Sequence, residues 1–297
     1  MTDCVIANAR KKFHANLVSD LLVFTSRESK KSKDNGASFK VASNADADNS
    51  ASCFIANSIA EQLGAKIGSS IAGQTAGHRF EKYVAGFVHD TFLKLDKLRP
   101  GDWEVLVSSS RNGGEISDFE QFEHIGILKT KAGSDPILQA SLGNDYSISP
   151  DILVSRGRYS DQLINQSHQI VDSKTALATS LRQMNGKSLI LHASISCKWT
   201  MRSDRAQNAR SEALNLIRNR KGRVPHIIAV VGEPTPSRLS SLALGTGDLD
   251  CVYHFALYEL REAVKALGQS EALTLLDIMI EGKRLKDISD LPLDLCV

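Results

Sequence analysis

The chain has 297 residues, 42% hydrophobic and 24% charged, which is enough apolar material for a sizeable core. Its longest apolar run, Ile227 to Val231, falls far short of the ~18 residues of a membrane span. The N-terminus MTDCVIANARKK lacks the apolar stretch of a signal peptide, so the expectation is a cytoplasmic protein with no membrane partner. Five scattered cysteines (Cys4, Cys53, Cys197, Cys251, Cys296) argue against a disulfide framework or a zinc cluster, and a net charge of +2 gives no compositional hint of nucleic acid.

In chain order, residues 5 to 24 read as a short amphipathic helix with Phe13, Leu17, Leu21 and Leu22 on its apolar side. Thr25 to Ser52 is almost entirely Ser, Lys, Asp, Asn and Ala, either a mobile loop or one that orders on a partner. Ile55 to Leu63 reads as a helix, and GSSIAGQTAG (Gly68 to Gly77) as a small-residue loop before a long amphipathic helix, Arg79 to Lys97. Glu81 falls in the first turn of that helix, where a carboxylate is favoured by the helix dipole alone. Arg99 to Asp102 is a turn and Trp103 to Ser108 a strand; Gly113 to Leu128 is helical or mixed, and Asp135 to Ala140 a short helix. In SISPDILVSR (Ser147 to Arg156), Pro150 can begin a strand but not occupy its middle, so Asp151 marks where the strand Ile152 to Val154 emerges.

A polar connection from Gly157 to Asn185 leads to the apolar strand that starts at Leu189 and runs to Lys198. Alternation puts Ser194, Ser196 and Lys198 on one face and Ala193, Ile195 and Cys197 on the other. A lysine ending so apolar a strand is costly unless its charge has a partner. Ser203 or Asp204 can then cap a helix from Ala206 to about Arg220, with Glu212 about 12 Å along the axis from Asp204. Between Arg202 and Arg223 there are seven basic residues and two acidic ones, a net +5 in a chain of +2, so positive charge is concentrated here. That suits a site facing a polyanion, although Arg218 to Arg223 can equally be non-specific phosphate attraction or a solvated helix end. His226 to Val231 is a second strand and GEPTPSR (Gly232 to Arg238) a rigid two-proline loop presenting Arg238. Leu249, Val252, Ala256, Leu260, Ala263 and Leu267 then mark one face of a core or subunit-contact helix, and the tail from Gly282 packs onto the body. Strands alternating with helices give an α/β or α+β class, one large domain or two smaller ones.

The strand that starts at Asp151 and the strand that ends at Lys198 can bring a carboxylate and an ammonium together. Phosphodiester hydrolysis needs carboxylates to hold a metal, a metal to bind phosphate and activate water, and a cation to offset developing charge. Mg²⁺ suits such a site, with Asp151 as a ligand and Lys198 as the cation. The acid two residues before the lysine is Ser196, so a further carboxylate must come from elsewhere; Glu212 is the candidate and Glu81 a third. A thiol nucleophile at Cys197 is disfavoured, because no histidine is paired with it and alternation turns it away from Lys198.

The segments GQTAGHRFE, RPGDW, SISPDILVSR, LHASISCKWTMRSDRAQNARSEALNLIRNRKGR, GEPTPSR, LALGTGDLDCVYHFALYEL and GKRLKDISDLPLDL carry a closer likeness, spanning nearly everything from about residue 43 onward. In these the chain resembles the type II restriction endonucleases of the PD-(D/E)xK group whose sites contain CCGG. The resemblance implies a restriction-endonuclease-like core, a central mixed sheet flanked by helices, as one domain over 1–297 with a polar loop at about 25–52. It places Glu81, Asp151, Lys198 and Glu212 on the active-site positions, Ser196 on the vacated acid position, and Cys197 on a residue whose backbone carbonyl helps Asp151 and Glu212 hold metal. Arg202, Asp204 and Arg205 fall on readers of the CCGG core, Arg238 on a reader of the outer G:C pair, and Gln74 on a minor-groove contact to the central pairs. Arginine forks match guanine O6 and N7, and a carboxylate can accept from cytosine N4. The polar loop departs from the family, which leaves contacts from Asp46 to Ser50 open. The same resemblance implies Mg²⁺-dependent cleavage of double-stranded DNA at GCCGGC, leaving 5′-phosphate cohesive ends. It also implies a homotetramer of two dimers and a cognate methyltransferase guarding the host DNA. The alternatives are a metal-dependent repair or recombination nuclease, which needs no base-reading arginines, and a DNA-binding protein without catalysis, which needs no Asp151, Lys198 and Glu212 together.

Overall fold

The computed structural model describes residues 4–28, 38–69, 71–108, 114–137, 149–201, 203–245 and 247–297, with backbone alone at 27, 28, 38 and 203–205. At the centre lies β5 (Ile190–Lys198), nearly all of it buried. Its apolar residues face one side, but His192, Ser194 and Ser196 on the other are buried too, because helices cover both faces of the sheet. To one side, β4 (Ile152–Arg156) pairs antiparallel with β5, and β3 (Trp103–Val107) pairs antiparallel with β4. To the other, β6 (His226–Val231), β7 (Cys251–His254) and β8 (Leu285–Asp287) continue in parallel. The result is a six-stranded mixed sheet in chain order β3 to β8, as the resemblance led one to expect.

This topology decides where a site can form. The carboxyl ends of β5 and β6 lie at one end of the sheet, with Lys198 beside Val231. Because β4 runs the other way, its start, Asp151, lies at that same end. In parallel-sheet folds the crevice outside the strands' carboxyl ends is the usual place for a ligand.

Helix α1 (Val5–Asp20) buries Phe13 and Leu17 as the pattern predicts. Within the polar stretch, β1 (Phe24–Glu28) and β2 (Ser38–Ala42) form an antiparallel ribbon, so 25–52 is not wholly a loop; 29–37 lie outside the described residues. The helix expected from Ile55 begins earlier, as α2 (Ser50–Gln62), because the Asn49 side chain accepts from the Ser52 N–H at 3.0 Å and caps it. Helix α3 (Gly73–Phe92) starts within the supposed small-residue loop, since Ala76 extends the buried face of Phe80, Val84, Phe87 and Val88 back by one turn. It also ends at Phe92 rather than at Lys97. Helix α4 (Glu123–Ala132) takes up the end of the mixed segment, and the short α5 (Asp161–Ile164) lies within the polar connection. Most of the short helix expected from Asp135 to Ala140 lies outside the described residues.

Helix α6 (Ser203–Asn219) links β5 to β6 and turns Ala206, Ala209, Ala213 and Leu216 inward. Two expectations fail nearby. The two-proline loop is only half loop, because Pro236 opens α7 (Pro236–Ala243) and Arg238 sits in its first turn; proline suits a helix start, having no N–H to leave unpaired. The presumed continuous helix from Leu249 to Leu267 is strand β7 followed by α8 (Leu257–Leu267). Helix α9 (Ser270–Glu281) leads to β8, and α10 (Leu291–Asp294) packs the tail on the body. No helix among the described residues is long and apolar enough to cross a membrane.

Candidate active site

The register Ile152 to Ile195 puts Asp151 across from Ser196 at the open end of the β4–β5 pair. Asp151 Oδ2 accepts from the Cys197 N–H at 2.6 Å and from Lys198 Nζ at 3.1 Å. The costly lysine therefore has its partner. Burial alone would lower the Lys198 ammonium, but Asp151 and Glu212 outweigh it and hold its pKa above the ordinary value.

Glu212 reaches the same place from the sheet-facing side of α6. Burial, together with the like charge of Asp151, pushes its carboxyl up to about 7, and Lys198 and Ser196 only partly oppose this. The Ser196 hydroxyl lies 3.5 Å from Asp151 Oδ2 and close enough to Glu212 to lower its carboxyl slightly. A third carboxylate at 196 would have to share this space, and serine leaves it to Glu212.

The carbonyl of Cys197 is aimed by strand geometry. A strand residue points its N–H and C=O to the same edge, and successive residues alternate. Lys198 C=O accepts from the Gly232 N–H at 2.9 Å on the β6 side. Cys197, one residue earlier, turns its N–H, and with it its carbonyl, towards Asp151. Its thiol is buried and pushed well above the ordinary value, which keeps it protonated and unsuited to nucleophilic attack.

Glu81 is buried on α3, where the His78 ring nitrogen Nδ1 lies 3.1 Å from its Oε2. A cleft of about 460 Å³ is lined by His78, Glu81, Lys129 and Asp151, so the third acid opens onto the same space. Among the described residues no three His, Cys, Asp or Glu side chains close on one point. Asp151, Glu212 and the Cys197 main-chain carbonyl could instead offer an all-oxygen donor set, the kind that fits a hard divalent cation.

A second cleft of about 370 Å³ lies beside the first and holds Asp46, Trp199, Met201, Glu233 and Arg238. Arg238 pairs with Asp46, donates from Nη1 to the Met201 carbonyl at 3.2 Å and lies 3.8 Å from Glu233. Gln74 is exposed in the first turn of α3. Arg202 lies outside the described residues, and Asp204 and Arg205 open α6 with side chains that are likewise outside them.

A family model described as NgoMIV restriction enzyme matches residues 13–297. The chain is also 50% identical over 289 residues, 97% of either sequence, to the type II restriction enzyme NgoMIV of Neisseria gonorrhoeae. The chain belongs to the NgoMIV restriction-enzyme family. It is thus a member of a type II restriction-endonuclease family, and its mixed sheet is the restriction-endonuclease-like core that the sequence resemblance implied.

Two residues of this restriction endonuclease escape a motif-based reading. His78 touches Glu81 one helical turn away, a spacing that is visible in GQTAGHRFE but common in any helix. Glu233 is buried, accepting from the Met201 N–H at 3.0 Å and from the Thr235 N–H at 3.1 Å, so it ties the approach to α6 to the start of α7. Burial raises its carboxyl above the usual range, and those N–H groups and Arg238 only partly offset this. Its sole sequence signal is an acid within GEPTPSR.

Proposed function

We propose that this restriction endonuclease cuts both strands of DNA at GCCGGC with Mg²⁺ as cofactor and leaves 5′-phosphate cohesive ends. In this reading it works in the cytoplasm as a single-domain protomer of a homotetramer made of two dimers, in a host whose DNA a cognate methyltransferase protects. The observation that carries the chemistry is the convergence of Asp151, Lys198 and Glu212, with Asp151 Oδ2 within 3.1 Å of the Lys198 ammonium and Glu212 pushed up to about 7 beside it.

Asp151, Glu212 and the Cys197 carbonyl would hold the cation, which supplies Lewis acidity at the scissile phosphate and lowers the pKa of the attacking water. Lys198 stays charged at neutral pH, so it can orient that water and offset charge developing on the phosphate oxygens. Glu81, across the cleft with His78, completes the acidic wall. In this reading Arg202, Asp204 and Arg205 read the core, Arg238 reads the outer pair, and Gln74 reaches the minor groove. Asp46 bonds to Arg238 and is the element of the polar loop placed to orient it. A repair nuclease has no need of these readers, and a pure DNA binder has no need of the acidic wall.

The test maps the ends produced from a random duplex library in Mg²⁺. Ends clustered at GCCGGC with 5′ overhangs support the proposal. Ends at another fixed sequence would sink the specificity and keep the enzyme class, while scattered ends would favour the repair-type reading.

A further inference from the structure

At the other end of β5, away from Lys198, lies a cavity of about 670 Å³ whose walls include Arg99, Arg156, Lys221 and Arg223 together with His192 and His226. His192 and Lys198 are six residues apart on one strand, roughly 20 Å at the rise of a β-strand, so this is not the cleavage cleft. Its charge is lopsided. The two carboxylates on its wall are engaged elsewhere: Glu120 pairs with Arg158 at 3.0 Å and accepts from Ser180, and Glu123 accepts from Ser188. Among the described residues none of the four cations has an acidic partner of its own. Arg156 is instead stacked between the rings of Trp103 and Tyr159, 5.1 and 5.0 Å from their centroids. Arg99 lies 5.7 Å from the Trp103 ring and donates to the Cys296 carbonyl.

Hydrogen bonding leaves the same debt. The buried Nε of Arg99, Nε of Arg156 and Nε2 of His226 have no hydrogen-bond partner, and on the acidic side neither has Glu120 Oε2, whose charge is met by the Arg158 guanidinium. Buried polar atoms are ordinarily satisfied, and each exception calls for an explanation. Burial lowers the Arg99 guanidinium, and the charges of Arg156 and Arg223 lower it further, so the cations crowd one another as well as lacking counter-ions. Aromatic stacking fixes two of the guanidiniums before any ligand arrives, and fixed forks are what oxyanion recognition requires. The volume falls within the range of small-ligand sites.

We propose that this cavity is a second anion site of the enzyme, built for a phosphate dianion, either orthophosphate or the terminal phosphate of a mononucleotide. Arg156 and Arg99 supply its buried donors, and Lys221 and Arg223 its rim.

The test is calorimetric titration of the intact protein, in EDTA and at constant ionic strength, with orthophosphate in one arm and adenosine monophosphate in the other. Lys221 and Arg223 are exposed, so Lys221→Gln/Arg223→Gln leaves the core untouched, and the thermal midpoint of each variant checks folding. The expected result is saturable binding, weakened at least tenfold in that double variant and in Arg156→Gln, and unchanged in Lys198→Ala. Similar affinity for the two ligands identifies orthophosphate as sufficient, and tighter monophosphate binding identifies a nucleotide. No heat beyond that of a chloride control would overturn the proposal, as would undiminished binding in the double variant. Loss of binding in Lys198→Ala would move the phosphate to the cleavage site and overturn it as well.

Discussion

His254 makes the structure's electrostatics measurable as stability. It is fully enclosed in β7, with Nε2 3.1 Å from the Glu233 carbonyl and Nδ1 accepting from the Ala256 N–H at 3.1 Å. A second proton would have to sit on Nδ1, facing that N–H. Burial takes its pKa down from 6.5 to about 4, against the weaker opposing pull of Asp287 and the Glu233 carbonyl. The folded value lies below the unfolded one, so as pH falls below 6.5 the unfolded chain gains a proton that the folded chain refuses. Stability is therefore lost between about pH 6.5 and 4, by about 2 kcal/mol at pH 5 and about 3 kcal/mol once the effect is complete. His192, also lowered to about 4 by burial, adds a loss of the same sign. Glu212 does the opposite, because its folded form, raised to about 7, keeps a proton that the unfolded chain releases. The wild-type profile mixes these contributions, so the informative quantity is the difference from His254→Gln, which keeps a donor towards Glu233 but cannot titrate. Urea unfolding at pH 7.5 and pH 5.0 should show the wild type losing about 2 kcal/mol more than the variant on acidification. An equal loss in both proteins, within about 0.5 kcal/mol, would refute the assignment of a buried neutral imidazole.

Glu212→Gln removes one proposed cation-holding carboxylate. It should lower single-turnover cleavage at least ~100-fold while leaving duplex binding in Ca²⁺ within ~3-fold, and a wild-type rate would take Glu212 out of the site. Arg10 bridges Glu259 at 2.7 Å and the fully buried Asp287 at 2.9 Å. Arg10→Met leaves that carboxylate without its partner and should cost about 3–5 kcal/mol by urea unfolding at pH 7. Arg238→Ala should reduce discrimination at the outer base pair by about 1–3 kcal/mol, measured as the ratio of cleavage rates on GCCGGC and on sites altered only at their outer pair. An unchanged ratio would assign that pair to another residue.

The parts of the fold legible in the sequence are those where pattern and burial agree. The strand ending at Lys198, the strand emerging after Pro150 and the helix carrying Glu212 all stand where their apolar spacing puts them, and Asp151 meets Lys198 as the two strand ends suggested. The failures have physical causes. Strand β7 has four residues, all buried, and a short strand covered on both faces cannot be told from a buried helix by periodicity. Leu249, Val252 and Ala256 fit helical spacing by coincidence until the chain turns at Phe255 and Ala256. The β1–β2 ribbon is short and set in a stretch dominated by Ser, Lys, Asp and Asn, so its few apolar residues do not separate it from a loop. In the site, the Asp151–Lys198 contact is written into two strand ends, but Glu212 and Glu81 arrive on helices packed from elsewhere; the vacated acid at Ser196 makes them candidates, and the family resemblance gives them positions. Glu233 is buried through contacts that no local pattern encodes, and the spacing of His78 and Glu81 is too common in helices to mark a site.

The most direct measurement of the central claim is digestion of supercoiled plasmids carrying no, one or two GCCGGC sites, with and without Mg²⁺, alongside Lys198→Ala. The account predicts cutting only at those sites, only with Mg²⁺, fastest on the two-site plasmid, and slowed by orders of magnitude in the variant. Undiminished cutting by Lys198→Ala, or tight duplex binding with no cleavage under any divalent cation, would contradict it.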